Sequence, residues 1–380
     1  MAALHVAQLN FPPAPAGLGI EALLERWPSL ADIAEMVAGA GIRVSVLQAA
    51  SHAEHILRDG VDYRLVDVAE ARSAEAKGRR FASALANMGV DVLHAHGLGF
   101  VEEATATAAR LSPPSPIVFQ DHAGRPPRWW RRARHRRGFA MASGIAFTSL
   151  DQAQPFAAAK LFASATRLFA IPESSSRFSP GERAVARAET GLYGNPCVVW
   201  VGRLIRGKDP MTVLEGVALA AARLPDLRLW CAFGAAAPML AEVRARIAGN
   251  PQLAGRVHLL GEVPHAHVEA LLRAADLFVS GSRAEGSGYA ALEALACGVT
   301  PVLTDIPAFR ALTGNGRVGH LWPCGDAVRL ADELFLAATG RASPQQVRAH
   351  FDAALSFDAV GRLWADAYAR VCGDSRRTAA

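Results

Sequence analysis

Ser282-Arg-Ala-Glu-Gly-Ser-Gly-Tyr-Ala-Ala-Leu-Glu-Ala-Leu-Ala296 is the stretch that decides how this chain folds. It carries two carboxylates, Glu285 and Glu293, with seven residues between them. Gly286-Ser287-Gly288 makes a turn directly after the first, and the Ala/Leu-rich run that follows has the composition of a helix. The preceding Ala275-Asp-Leu-Phe-Val-Ser280 reads as a buried strand. A strand, a glycine turn and a helix in that order aim unpaired backbone N–H groups at an anion. Two acids beside such a site suit a ligand with both phosphate and hydroxyl groups, and a sugar nucleotide has both.

Upstream, Val198-Val-Trp-Val-Gly-Arg-Leu-Ile-Arg-Gly-Lys208 ends a strand at Gly202 and supplies Arg203 and Lys208 within one short loop. Glycine permits close backbone approach, arginine offers a planar fork, and lysine offers a mobile point charge. Taken alone, these are ordinary surface cations, Glu293 is an ordinary helix residue, and Glu285 is a carboxylate suited to a helix N-terminus. Taken together, they predict a diphosphate site at the carboxyl edge of a sheet.

Gly202-Arg203…Lys208, Glu285-x7-Glu293 and Ala296-Cys-Gly-Val-Thr-Pro-Val302 together resemble the donor-binding domain of family 4 retaining glycosyltransferases. The resemblance covers roughly Cys197 to Asp326 and the first half only loosely. It implies GT-B architecture, in which two doubly wound Rossmann-like domains face an interdomain cleft. By the same resemblance, Arg203 and Lys208 hold the donor diphosphate, Glu285 binds sugar hydroxyls and Glu293 accepts from the ribose. Gly202, Gly286, Ser287 and Gly288 approach the donor through their backbone, and Val263 falls where the family packs the base. The expected reaction moves a sugar from a nucleotide-sugar donor to an acceptor with retention, with no cofactor and no metal, because the two cations take over the metal's electrostatic role. Ser287 and Tyr289-Ala290 depart from the family's aromatic and Leu-Pro pair.

The first half is less legible. Phe11-Pro-Pro-Ala-Pro-Ala-Gly-Leu-Gly19 stands where the family has a glycine loop; Gly17 and Gly19 admit a phosphate or an ordinary turn. Phe119-Gln-Asp-His-Ala-Gly124 ends a strand at the family's histidine position, so the resemblance makes His122 a catalytic candidate and Asp121 an acceptor-side candidate. Asp91-Val-Leu-His-Ala-His96 ends the preceding strand; His96 is expected to line the acceptor side and His94 to be structural.

Across its 380 residues the chain alternates β-rich runs with amphipathic helices, the pattern of parallel sheets covered by helices. The expected domains are 1–172, a linker 173–195, a donor domain 196–355 and a helix 356–380 that packs back on the first domain. With 51% apolar and 20% charged residues, the composition excludes a disordered chain. No apolar run approaches the roughly 18–20 residues of a membrane-spanning helix. Five scattered cysteines without a C-x-x-C pair indicate neither a disulfide framework nor a zinc site, so the cytoplasm is the expected compartment.

The net charge of +5 is local: Arg125 to Arg137 holds seven arginines and no acid, and removing those seven leaves −2 for everything else. Trp129 and Trp130 with Arg131, Arg132 and Arg136 have the composition of an interfacial anchor. An anionic membrane surface at the inner face, with a lipid-linked or polysaccharide-precursor acceptor, is the expected partner. Nucleic acid ranks lower because no nucleic-acid-binding motif accompanies the patch. Two alternatives stay open: a GT-B sugar-nucleotide epimerase or phosphorylase, and a non-catalytic protein on a GT-B scaffold recruited to membrane or nucleic acid.

Overall fold

A computed structural model describes residues 3–340 and 342–378, so Met1 and the last two residues of the expected 356–380 helix lie outside it. The chain forms two compact units, one from residues up to Ser174 plus those from Phe357 onward, the other from Ser175–Ser356.

In the first unit, an eight-stranded sheet is built from β1 (His5–Asn10), β2 (Arg43–Ala50), β3 (Glu54–Arg58), β4 (Val61–Asp67), β5 (Val92–His96), β6 (Ile117–Gln120), β7 (Ala142–Phe147) and β8 (Arg167–Ala170). Its order is β3-β4-β2-β1-β5-β6-β7-β8, parallel except for the β3–β4 hairpin. Sequence periodicity does not predict β3, β4 or β8. The first two belong to an edge hairpin with polar residues on alternate positions, joined by Asp59-Gly60, both at positive φ.

The winding direction reverses between β1 and β5, so side chains at the carboxyl ends of both strands face the crevice that such a reversal opens. Register aligns them: Asn10 stands beside Gln48, Leu9 beside Ala95, and His96 beside Gln120. The helix Phe357–Thr378 completes the core of this unit, with Trp364 and Tyr368 fully buried among Val6, Val92 and Val118.

The second unit is a six-stranded parallel sheet of β9 (Cys197–Val201), β10 (Arg228–Ala232), β11 (Val257–Gly261), β12 (Leu277–Ser280), β13 (Thr300–Thr304) and β14 (His320–Trp322). Its order, β11-β10-β9-β12-β13-β14, is that of a dinucleotide-binding fold, and its reversal falls between β9 and β12. Strands covered on both faces read as continuous apolar runs, as Cys197-Val-Val-Trp-Val does, and apolar clusters fill both faces of the sheet.

Residues 173–195 are not simply a linker. Arg183–Thr190 is a helix ending at Gly191 in the left-handed conformation, and Arg183 and Arg187 both pair with the buried Asp276, at 3.1 and 2.7 Å. Pro, Ser and Arg masked this helix because its arginines serve an acid 89 residues away, a partner local sequence cannot show.

Candidate active site

The reversal point of the second sheet gathers the two signature segments. β9 leads through Gly202 and the exposed Arg203 to a single 3-10 turn, Arg206–Lys208. Asp209 then caps the helix Pro210–Ala220, accepting from Thr212 N. β12 leads into Gly281 and Ser282, and Gly281 is required there. A Cβ would lie 2.9 Å from both Asp209 O and Val213 Cγ2, so only glycine lets the two loops touch. Arg283 fastens them, donating from its backbone N to Gly207 O at 2.9 Å and from Nη2 to Asp209 Oδ2 at 2.6 Å.

Lys208 and Glu285 meet in this crevice as an ion pair, with both side chains mostly buried. The sequence assigns one to phosphate and the other to hydroxyls; the structure adds that each holds the other. An ammonium carries three donors, so Lys208 can keep Glu285 and still present N–H groups to an anion. Gly288, at φ 63, reverses the chain ahead of the helix Tyr289–Ala296. Glu293 lies one turn into that helix and is 7% exposed. A carboxylate at that depth requires a partner, and His265 Nε2 lies 2.6 Å from its Oε1. Val263, two residues before His265, is half-buried and packs on the apolar cluster under that helix. Arg203 forms no ion pair among the described residues and remains open to an anionic group.

The first unit's reversal point is furnished differently. Asn10, Gln48, Gln8, Trp27, His96 and His122 line a cavity of about 260 Å³, and among the described residues no Lys, Arg, Asp or Glu lines it. Its histidines form a row into the protein. Glu173 Oε1 lies 2.5 Å from His122 Nδ1, and His122 Nε2 lies 3.2 Å from His96 Nδ1. His96 stacks on His94 at 4.3 Å, and Tyr368 OH lies 2.7 Å from His94 Nδ1. Burial pushes His94 down to about 3 and His96 well below the ordinary histidine range, so both rings are neutral near pH 7. His94 is therefore a core group and His96 a pocket group, although both point to one face of β5.

Two further first-unit candidates have structural partners of their own. Asp121 is buried, with its Oδ1 accepting from Gly124 N at 2.8 Å, so it builds the loop that carries His122 and does not line the cavity. Burial raises its carboxyl above the usual range. Gly17 turns the chain at φ 77, but Gly19 precedes a helix, Ile20–Arg26, whose N-terminus is occupied from within. Both oxygens of Glu54 lie 3.2 Å from Ile20 N, and a Cβ on Gly19 would meet Glu54 Oε2 at 3.0 Å. An internal carboxylate holds the position where a phosphate was expected.

In the basic segment, Trp129–Arg131 is a 3-10 turn and Arg132–Phe139 an α-helix. Trp129 is 76% exposed and Trp130 54% exposed, packed edge to face with each other. Several arginines have local duties. Arg132 donates to Pro127 O, Arg136 to Lys160 O, and Arg134 pairs with Glu102. Arg128 lies over the Trp130 ring, while Arg131 and Arg137 stay exposed.

Sequence reasoning missed Glu173, His265, Arg283, Asn10, Gln48 and Trp27. For the first three, the signal was a buried or half-buried acid lacking a sequence-local partner. For the last three, it was polar or aromatic residues at the ends of β1 and β2 and at a helix junction.

Residues 195–337 match the family model described as glycosyl transferases group 1. D-inositol 3-phosphate glycosyltransferase of Mycobacterium bovis is 34% identical over 160 residues, which is 41% of this chain and 32% of that relative, so the likeness spans about a third of the relative's length. Sucrose-phosphate synthase from Thermosynechococcus elongatus has a similar structure, with TM-score 0.69 and 19% identity over 98% of this chain and 100% of that one. Anabaena HepE, solved with UDP and glucose, has TM-score 0.68 and 16% identity over 97% of this chain and 100% of that one. Both structural likenesses, each under 25% identical, bear on the fold alone.

Proposed function

We propose, from the match of residues 195–337 to the group 1 glycosyl transferase model and their likeness to a curated glycosyltransferase, that this chain moves a glycosyl group from a nucleotide-sugar donor to an acceptor hydroxyl. The reaction retains anomeric configuration and draws its positive charge from side chains instead of a metal. The observation that carries this reading is the meeting of Lys208 with Glu285 beside Arg203 and Glu293 at the reversal point of the second sheet.

As the glycosidic bond breaks, negative charge grows on the departing diphosphate, and cations fixed beforehand stabilise that charge without reorganising. Arg203 and Lys208 have this role. Glu285 orients Lys208 and accepts from the donor sugar, and Glu293, oriented by His265, accepts from the ribose. The acceptor hydroxyl attacks from the face the leaving group vacates, and its proton passes to the departing phosphate oxygen. His122, held by Glu173 within the first unit, is the catalytic histidine that the resemblance implies. An epimerase, a phosphorylase or a non-catalytic scaffold is not favoured, since the family match and the curated relatives are glycosyltransferases.

Thermal-shift screening against UDP-, GDP- and ADP-sugars tests the donor assignment. One nucleotide sugar raises the melting temperature, and Lys208→Ala abolishes the rise. A response to none, or an unchanged response in the variant, defeats it.

The exposed Trp129–Trp130 pair among arginines supports peripheral attachment to an anionic membrane, where a lipid-linked acceptor would be presented. No described helix is long and apolar enough to cross a membrane. Replacing Trp129 and Trp130 with Ser and Arg131 with Glu is expected to abolish cosedimentation with phosphatidylglycerol vesicles; undiminished cosedimentation would sink this attachment.

A further inference from the structure

We infer that the cavity of the first unit is a subsite for an uncharged sugar ring, so that the group receiving the transferred glycosyl unit is a neutral polyol and not a phosphorylated one. The inference rests on the glycosyltransferase reading and specifies the acceptor class within it.

Three observations carry it. The first is the wall chemistry. Gln48 donates from Nε2 to Pro12 O at 2.5 Å and to Ala49 O at 2.9 Å, which fixes the carboxamide and spends its hydrogens. Its oxygen is left to accept from a ligand hydroxyl. Asn10 stands beside it in register, with Nδ2 buried and without a hydrogen-bond partner among the described residues. An unsatisfied buried amide costs about 1–3 kcal/mol, a cost a ligand oxygen would remove. Carboxamides that both donate and accept match hydroxyls, which do the same.

The second observation is shape. Trp27, half-buried at the junction of two helices, and the imidazoles of His96 and His122 supply ring faces in the same cavity. A sugar ring presents a C–H face to such surfaces and hydroxyl edges to the amides. At about 260 Å³ the cavity is smaller than the roughly 300–1,000 Å³ of pockets for drug-sized ligands, which suits a single ring.

The third observation is charge. Among the described residues no lysine or arginine lines the cavity. The N-terminus of the helix Ile20–Arg26, which Trp27 caps, offers no free N–H at Ile20, because Glu54 accepts from it. Both neutral histidines, His94 and His96, leave His122 as the one ring in the row paired with an acid, Glu173. A phosphorylated acceptor would meet no lysine or arginine among the described lining residues and would pay desolvation without that return.

The experiment uses the full chain and saturation-transfer difference NMR with the methyl α-glycosides of glucose, mannose and N-acetylglucosamine. Glucose 6-phosphate and inositol 3-phosphate are the charged probes, and UDP binding is measured in parallel by calorimetry. At least one neutral glycoside is expected to bind saturably, with affinity reduced tenfold or more by Trp27→Ala and by Asn10→Asp while UDP affinity is unchanged. The two variants differ in kind, one removing a ring and one replacing an amide isosterically, so misfolding of either leaves the other informative.

Binding of a phosphorylated probe tenfold tighter than its neutral parent overturns the inference. So does binding unaffected by both variants, or no neutral binding to protein that binds UDP. Failure of UDP itself to bind counts against the donor reading alone, and glycoside binding still decides this one.

Discussion

At the reversal point of the second sheet, Lys208 meets Glu285 and His265 meets Glu293; at that of the first, Asn10, Gln48 and His96 stand in one row with no fixed charge among them. The topology is the same in kind, since each unit winds outward from a central strand and opens a crevice where the winding turns. The furnishing is opposite. In the second unit every acid in the crevice has a cation or histidine held to it, the arrangement expected where a multiply charged ligand must be received and its charge increased. In the first, the acids have been moved to the supporting layer. Glu54 satisfies a helix end, Asp121 closes a turn, and Glu173 holds a histidine from behind. A fold of one kind can therefore serve two chemistries by changing which side chains terminate its strands.

The largest test of this contrast is Lys208→Ala. It removes a preorganised cation and strands Glu285, so kcat/KM is expected to fall by about 10²–10³, the loss typical of one oxyanion-stabilising donor. Steady-state kinetics with the donor found by thermal shift measures it, and a loss under tenfold would mean that the charged edge does not stabilise the leaving group.

The neutral edge is tested by pH. Burial lowers His94 to about 3 from an ordinary 6.5, so between those values the unfolded chain binds a proton that the fold refuses. Stability is therefore full above about pH 6.5 and declines as the pH falls. His94→Gln should flatten the decline by ~1.4 kcal/mol per pH unit, the slope of one proton. Urea unfolding from pH 7 to pH 4 reads this directly, and equal slopes in the two proteins would show that His94 carries its proton in the fold.

The smallest effect concerns the internal carboxylate. Glu54→Ala should cost about 1 kcal/mol by leaving Ile20 N unsatisfied at a helix N-terminus, and Glu54→Gln, which keeps an acceptor, should cost less. Denaturant midpoints compare the two. If the alanine variant is as stable as the parent, Glu54 is not what closes that helix end, and the contrast between the two edges weakens.

The second unit was legible because its chemistry is local. Strands covered on both faces declare themselves by apolar runs, and Arg203, Lys208 and Glu285 stand in short loops after β9 and β12, with Glu293 in the helix that follows. The first unit was less so for reasons particular to its residues. Asp59-Gly60 between alternating residues is a hairpin signal in its own right, yet the exposed edge strand β3 has no apolar face to confirm it. Gly17 and Gly19 looked like a phosphate loop because the competing anion, Glu54, lies 34 residues beyond Ile20, whose N–H it holds. The amides of Asn10 and Gln48 carried no motif at all, and only strand register brings them together. Each of these depends on a pairing between distant positions, which one sequence read linearly does not display.

The C-terminal helix has a consequence in time as well as in space. Tyr368, which bonds His94, is 274 residues downstream of it, and all of the second unit is translated between them. A growing chain thus contains the whole second unit before the first can bury Trp364 and Tyr368 against its sheet. Until then the histidine row lacks the hydroxyl at its inner end. The first unit cannot reach its final packing until synthesis has passed through the whole of the second.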